Sequence, residues 1–241
     1  MNSLLYSLMD FLPVSVEQFN SRDVQIPARA VLLDGTLTIP PNTQGIVLFA
    51  HGSGSSRHSP RNRFVAKVLN KAGLATLLMD LLTRDEEAID MQTRQLRFNI
   101  GLLAERLVQA VDWLAESAAT RMLVTGCFGA STGAAAALIA AAERPVRVAA
   151  VVSRGGRPDL AEDALTRVQA PTLLIVGGQD HVVIDLNRQA LAQLRGEKKL
   201  EVIPGATHLF EERGALEAVA QLATEWFLRY LKRPDGFFRD L

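Results

Sequence analysis

A serine-centred turn is the first feature of the sequence that could carry chemistry. Ser131 is the middle residue of Gly129-Ala130-Ser131-Thr132-Gly133, which stands between an apolar run and the helix-forming stretch AAAALIAAAE. In a turn from strand to helix, small flanking residues allow the strained backbone that lifts a nucleophilic hydroxyl above the sheet. The amide of Thr132, at the start of the helix, would be free to stabilise an oxyanion. A glycine-rich turn whose serine caps the helix would have the same sequence.

An acid and a histidine follow in the order that this chemistry needs. A serine hydroxyl is weakly nucleophilic until a base takes its proton, and an acid must hold that base in one tautomer. Asp180 follows the apolar run PTLLIVGG, and His208 follows the run KLEVIPG. Ser131, Asp180 and His208 thus follow separate predicted strands in the chain order serine, acid, histidine, which makes them a candidate catalytic triad.

The acid and the histidine have alternative interpretations. Asp180 could cap the helix that follows it, and Asp185 is a second acid nearby. His181 adjoins Asp180 and could be the base, although it does not follow the final strand. His208 could be a loop histidine with a purely structural hydrogen bond. The triad is favoured because the structural interpretations would require separate coincidences at Ser131, Asp180 and His208.

A second polar loop could complete an oxyanion site. The sequence HGSGSS, residues 51–56, follows the apolar run GIVLFA. Its glycines would let the backbone turn closely, so that an amide, that of Ser53, points at a developing oxyanion. The loop lacks the Lys-Ser/Thr ending of a phosphate-binding P-loop. We expect His51 to form structural hydrogen bonds rather than to act as a catalyst.

Basic side chains cluster at the same expected edge of the sheet. Arg57 and His58 follow the second loop, and Arg154 and Arg157 surround Gly155-Gly156 after another apolar run. Arginine suits bidentate binding of carboxylates, so these residues are candidates for binding an anionic group of a substrate. The alternative is that they pair with nearby acids, as most surface arginines do.

Alternating strand and helix patterns would position all of these residues. Helical apolar stripes occur between short apolar runs, clearest around Leu103–Leu114 and Leu216–Tyr230. Such alternation predicts a mostly parallel sheet with helices on both faces, whose ligands bind beyond the carboxyl ends of the strands. The six predicted central strands are GIVLFA, LATLLMD, RMLVTGC, VRVAAVVS, PTLLIVGG and KLEVIPG.

Three connections complete this prediction. Residues 24–40 contain Asp34-Gly35 between alternating arms, which predicts an antiparallel hairpin that turns there. Residues 154–170 are too few for a cap domain together with a crossover helix. The polar stretch Arg84–Asn99 is long for a connection and is the candidate roof of the site, unless it is only a solvated surface loop.

Composition excludes several other classes of protein. The chain has 241 residues, of which 48% are hydrophobic and 22% charged, with a net charge of zero, so disorder and a nucleic-acid or anionic-membrane footprint are excluded. No run reaches the roughly 18 apolar residues of a membrane span. A single cysteine, Cys127, forbids an internal disulfide and favours a reducing compartment, so we expect a cytoplasmic protein. Four histidines without a paired motif predict no metal site and no cofactor.

The motifs HGSGSS, GASTG, LLIVGGQD and PGATHLFEE resemble the α/β-hydrolase superfamily and, within it, the small dienelactone-hydrolase-like branch without a lid. The resemblance covers about Val24 to Leu231. It implies a mostly parallel central sheet with an N-terminal antiparallel hairpin, helices on both faces and no cap domain. For the site it implies these roles: nucleophile Ser131, acid Asp180, base His208, and oxyanion amides of Ser53 and Thr132.

The nucleophile differs from that of the dienelactone hydrolases proper, which carry cysteine where this chain has Ser131. Cys127, four residues earlier, is expected to be a buried residue near the strand end. Serine favours general hydrolysis of small esters or lactones through an acyl-enzyme. The alternatives are a thioesterase, peptidase or acyltransferase of the same fold, or a ligand-binding module with negligible turnover.

The predicted domain organisation has three parts, namely an N-terminal arm or helix at residues 1–21, the α/β-hydrolase domain at 22–233 and a C-terminal tail at 234–241. The expected partner is a small ester or lactone. The sequence gives no indication of the oligomeric state.

Overall fold

One eight-stranded sheet organises the computed structural model, which describes residues 19–232. The strands are β1 Ser21–Ala28, β2 Val31–Thr38, β3 Gly45–Ala50, β4 Ala75–Met79, β5 Val124–Ala130, β6 Val148–Arg154, β7 Thr172–Gly177 and β8 Lys198–Ile203. Their order in the sheet is β1-β2-β4-β3-β5-β6-β7-β8. Strands β3 to β8 are parallel, whereas β2 is antiparallel to both β1 and β4. The predicted fold is therefore confirmed.

Helices cover both faces of the sheet. They are α1 Pro60–Lys71, α2 Arg84–Thr93, α3 Ile100–Glu116, α4 Thr132–Glu143, α5 His181–Gln193 and α6 Ala215–Tyr230, with 3₁₀ segments at Leu96–Phe98 and Pro158–Arg167. Helices α1 and α6 pack with one face around Phe49, Phe128 and Val152. Helices α3 and α4 pack on the other face around Leu48 and Val151. These two cores fix the strands whose carboxyl ends carry the candidate site.

Continuous apolar sequence explains the central strands. All six residues of β3 are buried, as are all six of β7, because helices lie on both sides of them. Helix α4 is rich in alanine and is buried from Thr132 through Leu138. A helix that is apolar all round belongs in an interior, and small side chains let α4 approach the sheet closely. The turn before α4 is therefore held from several directions.

The turn of the N-terminal hairpin lies elsewhere than the sequence predicts. Arg29 and Ala30 connect β1 to β2, and Arg29 has a φ of +51°. Asp34 and Gly35 lie inside β2, where Gly35 is paired with Val24. A Cβ atom at Gly35 would lie 2.9 Å from the side chain of Ile26, so the glycine serves close packing. The prediction of a turn at Asp34-Gly35 was wrong for this reason.

The connection after β4 is mostly helical. The stretch Arg84–Asn99, considered a candidate roof or a solvated loop, forms α2 and a 3₁₀ segment. Thr83 starts α2 with a capping box, since its side chain accepts from the amide of Glu86 while the Glu86 carboxylate accepts from the amide of Thr83. An acidic first turn also suits the helix dipole.

The ends of the chain were assigned to an arm and a tail. Residues 1–18 and 233–241 lie outside the described residues, so the arm at 1–21 and the tail at 234–241 stay predictions. Strand β1 begins at Ser21. Within residues 19–232, no helix combines the length and the apolar character that crossing a membrane requires.

Candidate active site

Ser131 occupies a strained turn between β5 and α4. Its φ of +51° and ψ of −123° are unfavourable for a residue with a side chain, and such strain persists only where the surroundings enforce it. A Cβ atom at Gly133 would lie 2.3 Å from the carbonyl oxygen of Ala50, so glycine is required for the turn to approach β3. The turn thus presents Ser131 at the carboxyl edge of the sheet, beside the loop that follows β3.

The loop after β3 lies against the serine turn. A Cβ atom at Gly52 would lie 2.9 Å from Cβ of Ser131. The hydroxyls of Ser53 and Thr132 are 2.9 Å apart, and the Ser53 hydroxyl also donates to the carbonyl of Arg97 at 3.1 Å. The amide of Thr132 has no acceptor within α4 because it belongs to the first residue of the helix. These contacts bring the side chains of Ser53 and Thr132 together next to Ser131.

His51 fixes the start of this loop. Its Nε2 accepts a hydrogen bond from the amide of Leu81 at 3.0 Å, so the proton is on Nδ1, which donates to the carbonyl of Gly52 at 2.9 Å. Burial lowers the pKa of His51, although the Gly52 carbonyl and the charge of Asp80 oppose the shift. A neutral imidazole therefore ties Gly52 to the end of β4.

Asp180 and His208 form a hydrogen-bonded pair. The Nδ1 atom of His208 lies 2.6 Å from Oδ2 of Asp180. Although Asp180 precedes α5, its side chain makes no capping hydrogen bond to that helix. The competing residues have other positions, since Asp185 pairs with Arg188 on the exposed surface and His181 is exposed at the start of α5.

The segment Arg154-Gly155 lies between the serine and the histidine. The amide of Ser131 donates to the carbonyl of Arg154 at 3.3 Å. A Cβ atom at Gly155 would lie 3.6 Å from Cε1 of His208. In residues 19–232 no hydrogen bond joins the Ser131 hydroxyl to His208, and contacts of this kind are often long before a substrate binds. The backbone of Ser131 and the ring of His208 thus both border this short segment.

A cleft of about 360 Å³ opens between the loop after β3 and α2. Asp90 lines this cleft and is buried, at 2% exposure. Its carboxylate accepts hydrogen bonds from the amides of Leu96 and Arg97 and from Nε of Arg97. Arg97 reaches the loop, where a Cβ atom at Gly54 would lie 3.1 Å from its Nη1. The pair Asp90–Arg97 therefore connects α2 to the loop after β3, whose Ser53 hydroxyl bonds the carbonyl of Arg97. The sequence did not indicate this pair, because Asp90 and Arg97 are two polar residues among many in the same stretch.

The proposed substrate-binding side chains have different surroundings. Arg57 contacts Asp80 through its guanidinium and through its amide, the latter at 2.7 Å. Arg157 is bidentate to Asp159 at 2.8 and 2.7 Å. His58 is exposed. Arg154 is 8% exposed, and its Nε and Nη1 atoms are buried without a hydrogen-bond partner.

Two further observations concern the cysteine and the arrangement of possible metal ligands. Burial raises the pKa of Cys127 to about 12, so its thiol is protonated and unreactive at neutral pH. Among residues 19–232, no three His, Cys, Asp or Glu side chains are grouped so that they could hold a metal ion.

Comparison with known proteins identifies the family. Residues 33–233 match the model of the dienelactone hydrolase family. The chain belongs to this family. The resemblance that the sequence predicts is confirmed.

Solved structures are consistent with membership of this family. A dienelactone hydrolase from Anabaena variabilis is 64% identical, with a TM-score of 0.88 over 89% of this chain and 100% of the other. Est1E from Butyrivibrio proteoclasticus is 19% identical and shares the fold, with a TM-score of 0.72 over 86% of this chain and 98% of that one.

Longer relatives contain a matching portion. Two proteins of Mycobacterium tuberculosis strains, named "Putative phosphoribosyl transferase", are 58% identical over 212 residues. The match covers 88% of this chain and 47% of each relative, so the chain spans about half the length of the curated relatives it matches.

Proposed function

We propose that this dienelactone hydrolase family member cleaves small carboxylic esters or lactones through an acyl-enzyme on Ser131. The observation that carries the proposal is the 2.6 Å bond between His208 and Asp180, at the edge of the sheet where Ser131 is held in a strained turn. An acid-oriented imidazole near a serine at a strand-to-helix turn is the arrangement that acyl transfer requires.

In the proposed reaction, His208 takes the proton of the Ser131 hydroxyl while the oxygen attacks the ester carbonyl. The amides of Ser53 and Thr132 donate to the oxyanion, and each such donor contributes about 3 kcal/mol to lowering the barrier. His208 then gives the proton to the leaving alkoxide, which leaves an acyl-enzyme. Water repeats the sequence and releases the acid. Asp180 holds the imidazole in position and stabilises its cationic form.

The setting of the activity is also part of the proposal. A single buried cysteine supports a reducing compartment, and we place the activity in the cytoplasm with a small molecule as substrate. Phosphoribosyl transfer, the activity in the name of the longer relatives, is not proposed for this chain. The matched residues contain a serine turn and an acid–histidine pair, and they make up only 47% of each relative.

The nucleophile is tested with p-nitrophenyl acetate. Ser131→Ala should lower kcat/KM by about a thousandfold or more, because the covalent step loses its oxygen. Ser117→Ala, a serine at the end of α3, is the control and should keep wild-type activity. A fluorophosphonate probe should label wild type but not Ser131→Ala. Retained turnover in Ser131→Ala would contradict the assignment.

The base is tested with a matched pair of histidine variants. His208→Ala should lose about a thousandfold in kcat, whereas His181→Ala should retain activity because His181 is exposed and outside the Asp180 hydrogen bond. The opposite result would move the base to His181. Relative rates on oxygen esters, thioesters and amides then separate an esterase from a thioesterase or a peptidase.

A further inference from the structure

We propose that Asn187, a residue of α5, is a positioning residue that holds the backbone of Ser131 in its strained turn through one intervening peptide, that between Gly156 and Arg157. This role rests on the proposed function, since it serves the reaction at Ser131 without any contact between Asn187 and the substrate.

Asn187 is a polar residue on the apolar face of α5. The other buried residues of this helix are Val183, Ile184 and Ala190, which lie on the same face as Asn187 at helical spacing. Asn187 itself is completely buried, at 0% exposure. Burying an amide costs free energy unless its polar atoms form hydrogen bonds. An apolar side chain would continue the stripe, so packing alone does not account for an amide at this position.

The amide of Asn187 acts as a double donor. Its Nδ2 atom donates to the carbonyl of Gly156 at 3.0 Å and to the carbonyl of Val183, one turn earlier in α5, at 2.8 Å. The reverse orientation of the amide would place its oxygen against two carbonyl oxygens, so these acceptors fix the orientation. Its Oδ1 atom is buried without a hydrogen-bond partner. The bond to Gly156 is therefore the one that Asn187 forms outside its own helix.

The peptide between Gly156 and Arg157 connects Asn187 to the nucleophile. The carbonyl of this peptide accepts from Asn187, and its N–H, which belongs to Arg157, donates to the carbonyl of Ser131 at 3.0 Å. Because the peptide is one planar unit, a shift of its carbonyl also turns its N–H. Hydrogen bonds in such a chain polarise and strengthen one another. Asn187 therefore orients the donor that binds the Ser131 carbonyl.

Both polar backbone groups of Ser131 bond to the segment 154–157. The amide of Ser131 donates to the carbonyl of Arg154, and its carbonyl accepts from the amide of Arg157 in addition to the amide of Ala134 in α4. The φ of +51° and ψ of −123° at Ser131 persist only while the surroundings enforce them. These angles set the direction of the Ser131 side chain, so a looser segment would let its hydroxyl turn away from the base.

Helix α5 links this contact to the acid. Asp180 directly precedes α5, and Asn187 lies two turns further along, a distance of about 10 Å along the helix axis. Gly155, next to Gly156, adjoins the ring of His208, since a Cβ atom there would lie 3.6 Å from Cε1. One helix thus carries the acid at its start and supports the nucleophile from its buried face.

The kinetic test replaces Asn187 by leucine, which has a similar size and no donors. Asn187→Leu should lower the rate constant of acylation, measured from the burst of p-nitrophenol with p-nitrophenyl acetate, by about 10- to 100-fold. The apparent dissociation constant of the substrate should change by less than about threefold, because the loss concerns the alignment of the hydroxyl and not substrate binding. Rates are measured well below Tm and are normalised to the sites that a fluorophosphonate titrates.

Asn70→Leu is the matched control. Asn70 is also buried, at 6% exposure, and its Nδ2 atom donates to the carbonyl of Leu74 at 2.9 Å, at the opposite, amino end of the strands. It should lose a similar amount of stability and keep the wild-type rate of acylation. An equal loss of acylation in both variants, or wild-type acylation in Asn187→Leu, would overturn the role of Asn187.

Hydrogen exchange tests the contact without turnover. In Asn187→Leu the amide of Arg157, followed by NMR, should exchange about tenfold faster or more than in Asn70→Leu, because its peptide has lost the bond to α5. Equal protection of this amide in the two variants would contradict the proposal. Should Asn187→Leu fail to fold, Asn187→Ala and Asn70→Ala replace the pair in both measurements.

The exchange of the Arg157 amide does not depend on whether Ser131 is the nucleophile. Equal turnover by wild type and Ser131→Ala would refute the proposed hydrolysis and leave the exchange result intact. Failure of the proposed function and failure of the role of Asn187 are therefore distinguishable.

Discussion

Arg106 and Arg154 are similarly buried, at 5% and 8% exposure, yet their surroundings differ in kind. Arg106 bonds Glu86 at the start of α2 and the carbonyl of Leu81, the residue whose amide donates to His51. Arg154 lies on the histidine side and has no acceptor for two of its guanidinium nitrogens. A satisfied buried charge holds the fold together, whereas an unsatisfied one is retained at a cost to stability.

The two arginines thus differ in whether the fold supplies acceptors for their guanidinium nitrogens. The amide of Leu81 donates to His51 and its carbonyl accepts from Arg106, so this one residue connects the loop after β3 to Arg106. Arg106 in turn bonds Glu86 in α2. Around Leu81 the buried polar groups are hydrogen-bonded to one another. On the other side the Nε atoms of Arg154 and Arg61 are buried and have no hydrogen-bond acceptor in the described part of the chain.

The largest expected effect on stability comes from replacing Arg106, the arginine whose hydrogen bonds are satisfied. Arg106→Met should lower the free energy of unfolding by about 2–3 kcal/mol, since it leaves the Leu81 carbonyl without a donor and Glu86 without its counter-charge. The value lies at the low end for a buried pair because the Glu86 side chain is 25% exposed and keeps some hydration. Urea denaturation at pH 7 measures it, and an unchanged midpoint would contradict the structural role of Arg106.

Replacement of His51 should have the second largest effect on stability, and it should also change how stability depends on pH. His51→Ala should cost about 2 kcal/mol, because the buried amide of Leu81 loses its acceptor. It should also lower kcat, because the Gly52 carbonyl loses its donor.

Burial lowers the pKa of His51 from 6.5, so the unfolded chain binds a proton more readily than the folded one. Stability from this group is present above pH 6.5 and is lost as pH falls through the lower folded value. Unfolding of wild type and His51→Ala between pH 7.5 and pH 5 checks this. Parallel curves for the two proteins would show that His51 contributes no pH dependence.

Arg154→Met should have the opposite sign from Arg106→Met. Replacing an unpaired buried cation by an apolar side chain of similar length should raise the free energy of unfolding by about 1 kcal/mol in the absence of oxyanions. Differential scanning calorimetry in a buffer without phosphate or carboxylate is the measurement. A clear destabilisation would assign Arg154 to the fold and would remove the contrast with Arg106.

An exposed arginine should have the smallest effect. Arg144 bonds both oxygens of Asp112, but the two side chains are 35% and 39% exposed. Arg144→Gln should therefore cost about 0.5 kcal/mol, and less at high salt. Measured beside Arg106→Met in the same urea series, it shows how much of the larger effect comes from burial. Equal losses for both variants would deny burial that role.

How far the sequence predicts this molecule depends on how local each signal is. The positions of Ser131, Asp180 and His208 follow from short motifs at the ends of apolar runs, which is why the sequence could nominate them. The hairpin itself follows from the alternating pattern, but its turn does not. Asp34-Gly35 has the composition of a turn, whereas Gly35 is required by the close side chain of Ile26 across the pair.

Signals that depend on tertiary contacts are absent from the sequence. Arg57 forms ion pairs with Asp80, directly after β4, and with Asp34, inside β2. The two acids lie near each other only because β2 and β4 pair in the antiparallel direction. Arg61 resembles any basic residue of a surface helix in the sequence. Its charge helps to lower the pKa of Arg154 only because α1 covers the sheet on that side. The capping box at Thr83 was visible in the sequence, but the polarity of the following stretch favoured an interpretation as a loop.

The narrow turn around Ser131 also limits which substitutions evolution can try there. Because a side chain at Gly133 would meet the Ala50 carbonyl at 2.3 Å, the neighbouring backbone cannot accommodate added bulk. The terminal atom of residue 131 is less constrained, since a Cβ atom at Gly52 would still lie 3.7 Å from its Oγ. We therefore expect Ser131→Cys to keep the backbone of this turn, so that the shape of the turn does not by itself dictate whether oxygen or sulfur stands at its tip.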